Sequence, residues 1–153
     1  MTTTTSPQLA LTRIVDAPRA LVYRAFTDPD QFAAWWGPVG NELPRDGVEF
    51  DVRAGGYLQW KEFFPEDPAT WTRGRIDLTD VVDGEVLDGV MRITGQLPSG
   101  HKPFETRMRV EFHDETEGRT RLELRQWHPE GYAAPTENGW SEAFSKLDAM
   151  LAA

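Results

Sequence analysis

At 153 residues and 17.3 kDa the chain is long enough to bury a core without metal or disulfide staples, and it reads as one domain over residues 9–153 behind a polar, Thr-rich tail at residues 1–8. The absence of cysteine excludes disulfides, thiolate nucleophiles and Cys-based zinc sites. A formal charge of −9, from 16 basic and 25 acidic residues, has the wrong sign for a phosphate-binding surface, so nucleic acid is not an expected partner.

Residues 1–8 carry no cationic stretch leading into an apolar core, and no later run is apolar enough to span a bilayer. A soluble, cytoplasmic protein with no membrane partner is therefore expected. Six tryptophans and eight phenylalanines exceed what a disordered chain carries. A large apolar interior is expected instead.

In chain order, Leu9 to Val15 has the alternation of a strand, with Leu9, Leu11 and Ile14 as its inward residues. Asp16-Ala17-Pro18 is a helix start, followed by the helical stripe Leu21, Val22, Ala25 and Phe26. Asp28-Pro29-Asp30 stops that helix. A second short helix begins at Asp30 and carries Phe32, Trp35 and Trp36 as far as Gly37-Pro38. From residue 48 to residue 130 the pattern turns to strands. Val48, Phe50 and Val52 alternate, Ala54-Gly55-Gly56 reverses the chain, and residues 57–63 return as the second arm of a hairpin. Residues 64–72, with Pro65 and Pro68, read as a loop. Strand character resumes at residues 75–78 and 86–94, around a turn at Asp83-Gly84. Phe104, Thr106, Met108, Val110 and Phe112 alternate with charged residues and His113, and residues 119–127 follow after Glu117-Gly118. In the closing segment, Trp140, Phe144, Leu147 and Leu151 share one stripe of a helix. A lone amphipathic helix does not hold itself together in water, so the sheet is expected to wrap it.

These pieces also carry a resemblance. Asp16-Ala17-Pro18, Phe26-Thr27-Asp28-Pro29, Trp35-Trp36-Gly37-Pro38, Arg53-Ala54-Gly55-Gly56 and Gly139-Trp140, in this order and spacing, resemble the bacterial branch of the family named after the activator of Hsp90 ATPase. The resemblance covers nearly the whole chain. It implies the α+β helix-grip fold of the START-like, or Bet v 1-like, superfamily. In that fold a curved antiparallel sheet wraps a long C-terminal helix, with two short helices after the first strand. It further implies a cavity between sheet and helix that in many relatives takes an apolar small molecule. It does not imply the cochaperone role: the eukaryotic activator makes much of its Hsp90 contact through a separate N-terminal domain, for which this chain has no room. Hsp90 is not an expected partner.

No metal is expected, because His101, His113 and His128 stand far apart and in no ligand pattern. No cofactor is expected either, since the chain has no Walker loop, dinucleotide fingerprint or Gly-x-Ser-x-Gly elbow. Strand parity aims a few polar groups inward: Glu62 with Leu58 and Trp60, Thr106 with Met108 and Val110, and Gln126, then His128, with Leu122 and Leu124. An inward carboxylate has its charged form disfavoured, so Glu62 is the candidate acid/base, with Gln126 or His128 beside it. Trp35, Trp36, Phe104, Phe144 and Leu147 complete the expected lining, with Phe144 and Leu147 forming one wall opposite Trp60 and Met108. Trp35-Trp36, read as an exposed aromatic patch, is a lid or a homodimer contact. Three functions fit these residues. The favoured one is a binding module for an apolar or aromatic small molecule, serving transport, sequestration or resistance. The others are a cyclase, dehydratase or hydrolase working through Glu62, and a chaperone-accessory interaction protein.

Overall fold

Among the described residues, period-two patterning and turn residues build seven strands, and 3.6-residue patterning builds three α-helices around them. The computed structural model of the chain describes residues 9–97, 102–127 and 133–152. The elements are β1 (Leu9–Val15), α1 (Arg19–Thr27), α2 (Pro29–Trp35), β2 (Glu49–Asp51), β3 (Tyr57–Phe63), β4 (Trp71–Val82), β5 (Val86–Gln96), β6 (Phe104–Glu115), β7 (Arg119–Trp127) and α3 (Ala133–Ala152). The strands form one antiparallel sheet in the order β1-β7-β6-β5-β4-β3-β2. Consecutive strands are neighbours from β2 to β7, as short turns require, and β1 closes the other side against β7.

The inner face follows the expected parity. Leu58, Trp60 and Glu62 on β3, Met108, Val110 and Phe112 on β6, and Leu122, Leu124 and Gln126 on β7 are all buried. The three helices cover this face. Ile14 does not belong to it: the side chain is 43% exposed, and Val15, at 1%, takes the inward place. A period of two sends residues 9, 11, 13 and 15 inward and residue 14 outward. Arg13 is consequently an inward cation. Its guanidinium lies 5.4 Å from the Phe144 ring centroid and pairs with Asp148 of α3.

Two helix boundaries also shift. α1 starts at Arg19 with Pro18 as its cap residue and no side-chain cap, so Asp16 does not start it. α2 starts at Pro29, because the Asp28 carboxylate accepts from the backbone N–H groups of Asp30 and Gln31. The loop expected over residues 64–72 is shorter than expected. β4 takes up Trp71 and Thr72, which pair with Phe63 and Glu62 of β3.

Trp35 and Trp36 are core residues, at 0% and 7% exposure, and not a surface patch. The Trp35 indole N–H donates to the Ala25 carbonyl at 2.7 Å and ties α2 to α1. This burial removes the exposed aromatic surface on which a lid or dimer contact was expected.

The outer face is a ladder of charge. Arg109, Arg121 and Arg125 interleave with Glu111, Glu115 and Glu123 in ion pairs across β6 and β7. His113 lies on this face, hydrogen-bonded to Glu111 at 3.0 Å.

Candidate functional site

The inner face opens where β3, β5 and β7 end, beside the Gly139–Ala143 stretch of α3. A cleft of about 180 Å³ lies there. Trp36, Trp60, Phe104 and Trp140 supply its aromatic lining, Met91 and Ile93 aliphatic surface from β5, and Glu62 and Gln126 its polar groups.

Each ring is held by a neighbour. Trp60 crosses its β4 partner Gly74, where a Cβ would fall 2.1 Å from the indole Cζ2, so only glycine leaves room for the ring. Trp140 donates its indole N–H to the Gln126 side-chain oxygen at 2.8 Å. Trp36 meets Trp60 at 5.2 Å with planes 65° apart, and Trp140 at 5.1 Å with planes 86° apart. Such near-perpendicular contacts suit the ring quadrupoles and place the three indoles on different walls.

Glu62 is only 8% exposed. Burial pushes its carboxyl above the ordinary carboxylate range, opposed in part by a hydrogen bond donated by the Asn41 side-chain amide and by the charge of Lys146. Asn41 reaches it from the segment after α2. α3 fixes that segment at two points: Lys146 donates to the carbonyls of Trp36 and Pro38 at 3.2 and 3.3 Å, and Glu142 accepts from the Val39 N–H at 3.0 Å. Burial lowers the pKa of Lys146, against the opposing charges of Glu62 and Glu142. Gly37 has φ +85°, and a Cβ there would stand 3.0 Å from a Glu62 carboxylate oxygen. The chain can pass over the carboxyl because that side chain is missing.

Deeper between sheet and helices the interior is filled. A void of about 10 Å³ remains, bordered by Phe26, Trp36, Leu58, Ile76, Met108 and Val110, which is room for roughly one water. Edge contacts between Phe26 and Phe112 (5.2 Å) and a tilted contact between Phe32 and Trp60 (5.4 Å) occupy the space in which a larger chamber was expected.

Of the residues expected to line a site, Trp36, Trp60, Glu62, Phe104 and Gln126 meet in the cleft. Leu58, Met108 and Val110 border the small void. Trp35, Leu124 and Leu147 are packed core. Thr106 is buried and donates to the Trp127 carbonyl at 2.7 Å, so it does not join the polar pair. Phe144 faces a groove on the β1 side of α3 with Leu11 and Arg13, so the wall expected from Phe144 and Leu147 is formed by Trp140 and Ala143 instead. His128 and His101 lie outside the described residues. Sequence reasoning missed Asn41, Met91, Ile93 and Lys146. Parity within residues 86–94 carried the signal for Met91 and Ile93, whereas Asn41 and Lys146 come from a loop and a helix flank with no periodic mark.

Two roomier hollows lie elsewhere, one beside Ile14 and Asp148 and one beside Tyr23 and Asp83. Neither gathers more than one aromatic ring. On the outer face, Glu111, His113 and Glu123 bring ligand atoms within 4.8 Å of one another. Their carboxylates are already paired with Arg109, Arg121 and Arg125, which a metal ion would have to displace.

The fold is shared with solved bacterial structures. A protein from Chromobacterium violaceum is 23% identical with a TM-score of 0.79, over 94% of this chain and 95% of that one. The AHSA1 protein from Silicibacter pomeroyi is 19% identical with a TM-score of 0.72, over 94% and 96%. A protein from Arthrobacter aurescens is 22% identical with a TM-score of 0.75, over 94% and 84%. At these identities the likeness is one of fold. No curated protein matches the chain. The model of the family described as Activator of Hsp90 ATPase homolog 1-like protein matches residues 16–152, and the chain belongs to that family.

Proposed function

We propose that the protein binds an apolar or aromatic small molecule in the cleft between β3, β5, β7 and α3, for transport, sequestration or resistance. The observation that carries this reading is the meeting of three indoles and a phenyl ring with one buried carboxyl and one buried amide in a space of about 180 Å³. Apolar cavities of about 150 Å³ admit benzene, so the cleft suits a single ring or the ring end of a longer molecule.

Gly139 provides the control. It lines the cleft on α3, and a Cβ there meets nothing within 4 Å, so Gly139→Leu fills the cleft while favouring the helix. Neutral aromatic probes such as indole and phenol are expected to bind saturably, as read by titration calorimetry, in the natural chain and not in Gly139→Leu. Lack of saturable binding by any neutral or charged aromatic probe in the natural chain would rule the reading out.

A second reading, acid/base turnover at Glu62, is supported by the burial that raises its pKa. On any substrate that is found, Glu62→Gln is expected to abolish turnover. Unchanged turnover would remove Glu62 as the base.

A further inference from the structure

We infer that the molecule this cleft selects is an organic cation, a quaternary ammonium or protonated amine on a small apolar or aromatic body. The inference rests on the cleft proposed above as the binding site and specifies the charge of its occupant. Trp36, Trp60 and Trp140 line one small space with their planes 65° and 86° apart. Phe32 stacks on Trp36 and Phe144 on Trp140, so a compact cation placed there meets the indole surface that these rings leave toward the cleft. Indole is the strongest of the aromatic side chains in this interaction, and its effect grows as water is excluded. The rings are already held, Trp60 over Gly74 and Trp140 on Gln126, so no ordering is needed at the moment of binding.

Among the described residues, Glu62 is the titratable side chain in the lining, and it is buried. Two other charged groups approach from α3. Lys146 is turned to the carbonyls of Trp36 and Pro38, and Glu142 to the N–H of Val39. The segment crossing the cleft contributes Asn41, which is neutral and donates to Glu62. A neutral guest adds nothing to the partial compensation that Asn41 and Lys146 give the Glu62 carboxylate, an anion is repelled by it, and a cation neutralises it. The burial that pushes Glu62 upward is thus opposed by the guest, and binding releases a proton wherever the empty site holds one. The net charge of −9 adds a long-range attraction of the same sign.

The test compares choline with 3,3-dimethylbutan-1-ol, which has the same shape without the charge, by titration calorimetry on the full chain at low and moderate salt. The expected result is binding of choline at least tenfold tighter than the alcohol. In Glu62→Gln that preference falls to near unity, and in Gly139→Leu both probes are lost. Calorimetry in buffers of different ionisation enthalpy is expected to show proton release on binding at pH values where the empty site still holds the Glu62 proton, and none once the pH lies above its raised pKa. Equal affinity for the two probes, or tighter binding of the alcohol, overturns the inference and leaves the neutral apolar reading standing. A choline preference that survives in Gly139→Leu also overturns it, because the acidic surface is then the binder. Binding of neither probe overturns it as well, while the aromatic-probe titration above decides separately whether the cleft is a site. If Glu62→Gln fails to fold, the natural chain still decides: its choline preference must decline as the pH falls and Glu62 becomes protonated.

Discussion

The indole of Trp60 lies across Gly74, its direct partner on the neighbouring strand, with room for a hydrogen atom there but not for a methyl group. The glycine has therefore a positive function, since it lets the largest side chain of β3 lie flat and form the floor of the cleft. Gly74→Ala is expected to push the ring off its seat and to destabilise the protein by about 1–3 kcal/mol, the usual range for overpacking. Urea unfolding measures the loss, and a changed near-ultraviolet circular dichroism spectrum reports the moved indole. Unchanged values in both would show that the strand tolerates the methyl group.

The folded-state pKa of Glu62 is raised above its ordinary value, so the native protein holds this proton more firmly than the unfolded chain does. The associated stability is fully present below the unfolded value and is lost as pH rises through the folded one. Glu62→Gln keeps the hydrogen bond from Asn41 and removes the ionisation. Its stability is expected to decline less than that of the natural chain as pH rises from 4 upward, and to be the higher of the two once Glu62 is ionised. A pH series of urea midpoints checks this, and a steeper decline in the variant would refute it.

Lys146 joins α3 to the segment over the cleft through the carbonyls of Trp36 and Pro38. Lys146→Met keeps the stem and removes the donor. A loss of about 1.5–3 kcal/mol is expected, as for hydrogen bonds of a charged group. Amide exchange at Val39 and Asn41 is expected to quicken, and the Glu62 carboxyl, without its cationic neighbour, to titrate higher still.

Acid sensitivity is expected from the opposite face of the sheet. The hydrogen bond from Arg109 is the main cause holding Glu111 down to about 2, helped by His113 and Arg125. A depressed carboxylate stabilises the fold above its unfolded pKa and loses that contribution as pH falls through the folded one. Between pH 4.5 and 2 the natural chain is expected to lose on the order of 1 kcal/mol through this group, solvent screening of the half-buried arginines having reduced the full linkage value. Glu111→Gln is expected to be less stable near neutral pH and to lack that portion of the acid dependence, as denaturant midpoints at pH 2.5, 4 and 7 would show.

The phase of β3, β6 and β7 is legible in the sequence because alternate residues differ sharply in polarity, and the same alternation assigns Glu62, Gln126, Trp60 and Phe104 to one face. Ile14 defeats the pattern because Arg13, polar at an inward position, breaks the alternation that sets the phase of β1. The ion pair of Arg13 with Asp148 is a contact between distant parts of the chain. Asn41 and Lys146 escape for the same reason, since what makes them part of the site is a meeting of segments and not a local pattern. Periodicity also states which side chains point inward without stating how much space they leave. The space of the expected chamber is taken up by Phe26, Phe32 and Phe112, rings outside the expected lining, packed against one another and against Trp60.

Trp36 borders both the void of about 10 Å³ and the cleft of about 180 Å³, so its ring is a wall shared by the two spaces. The protein's capacity is therefore adjustable at one position without altering the backbone. Trp36→Leu would join the compartments and extend the reach of a guest to Met108 and Val110. In a homologous series of alkyl-substituted probes, the chain length giving tightest binding is expected to increase in that variant.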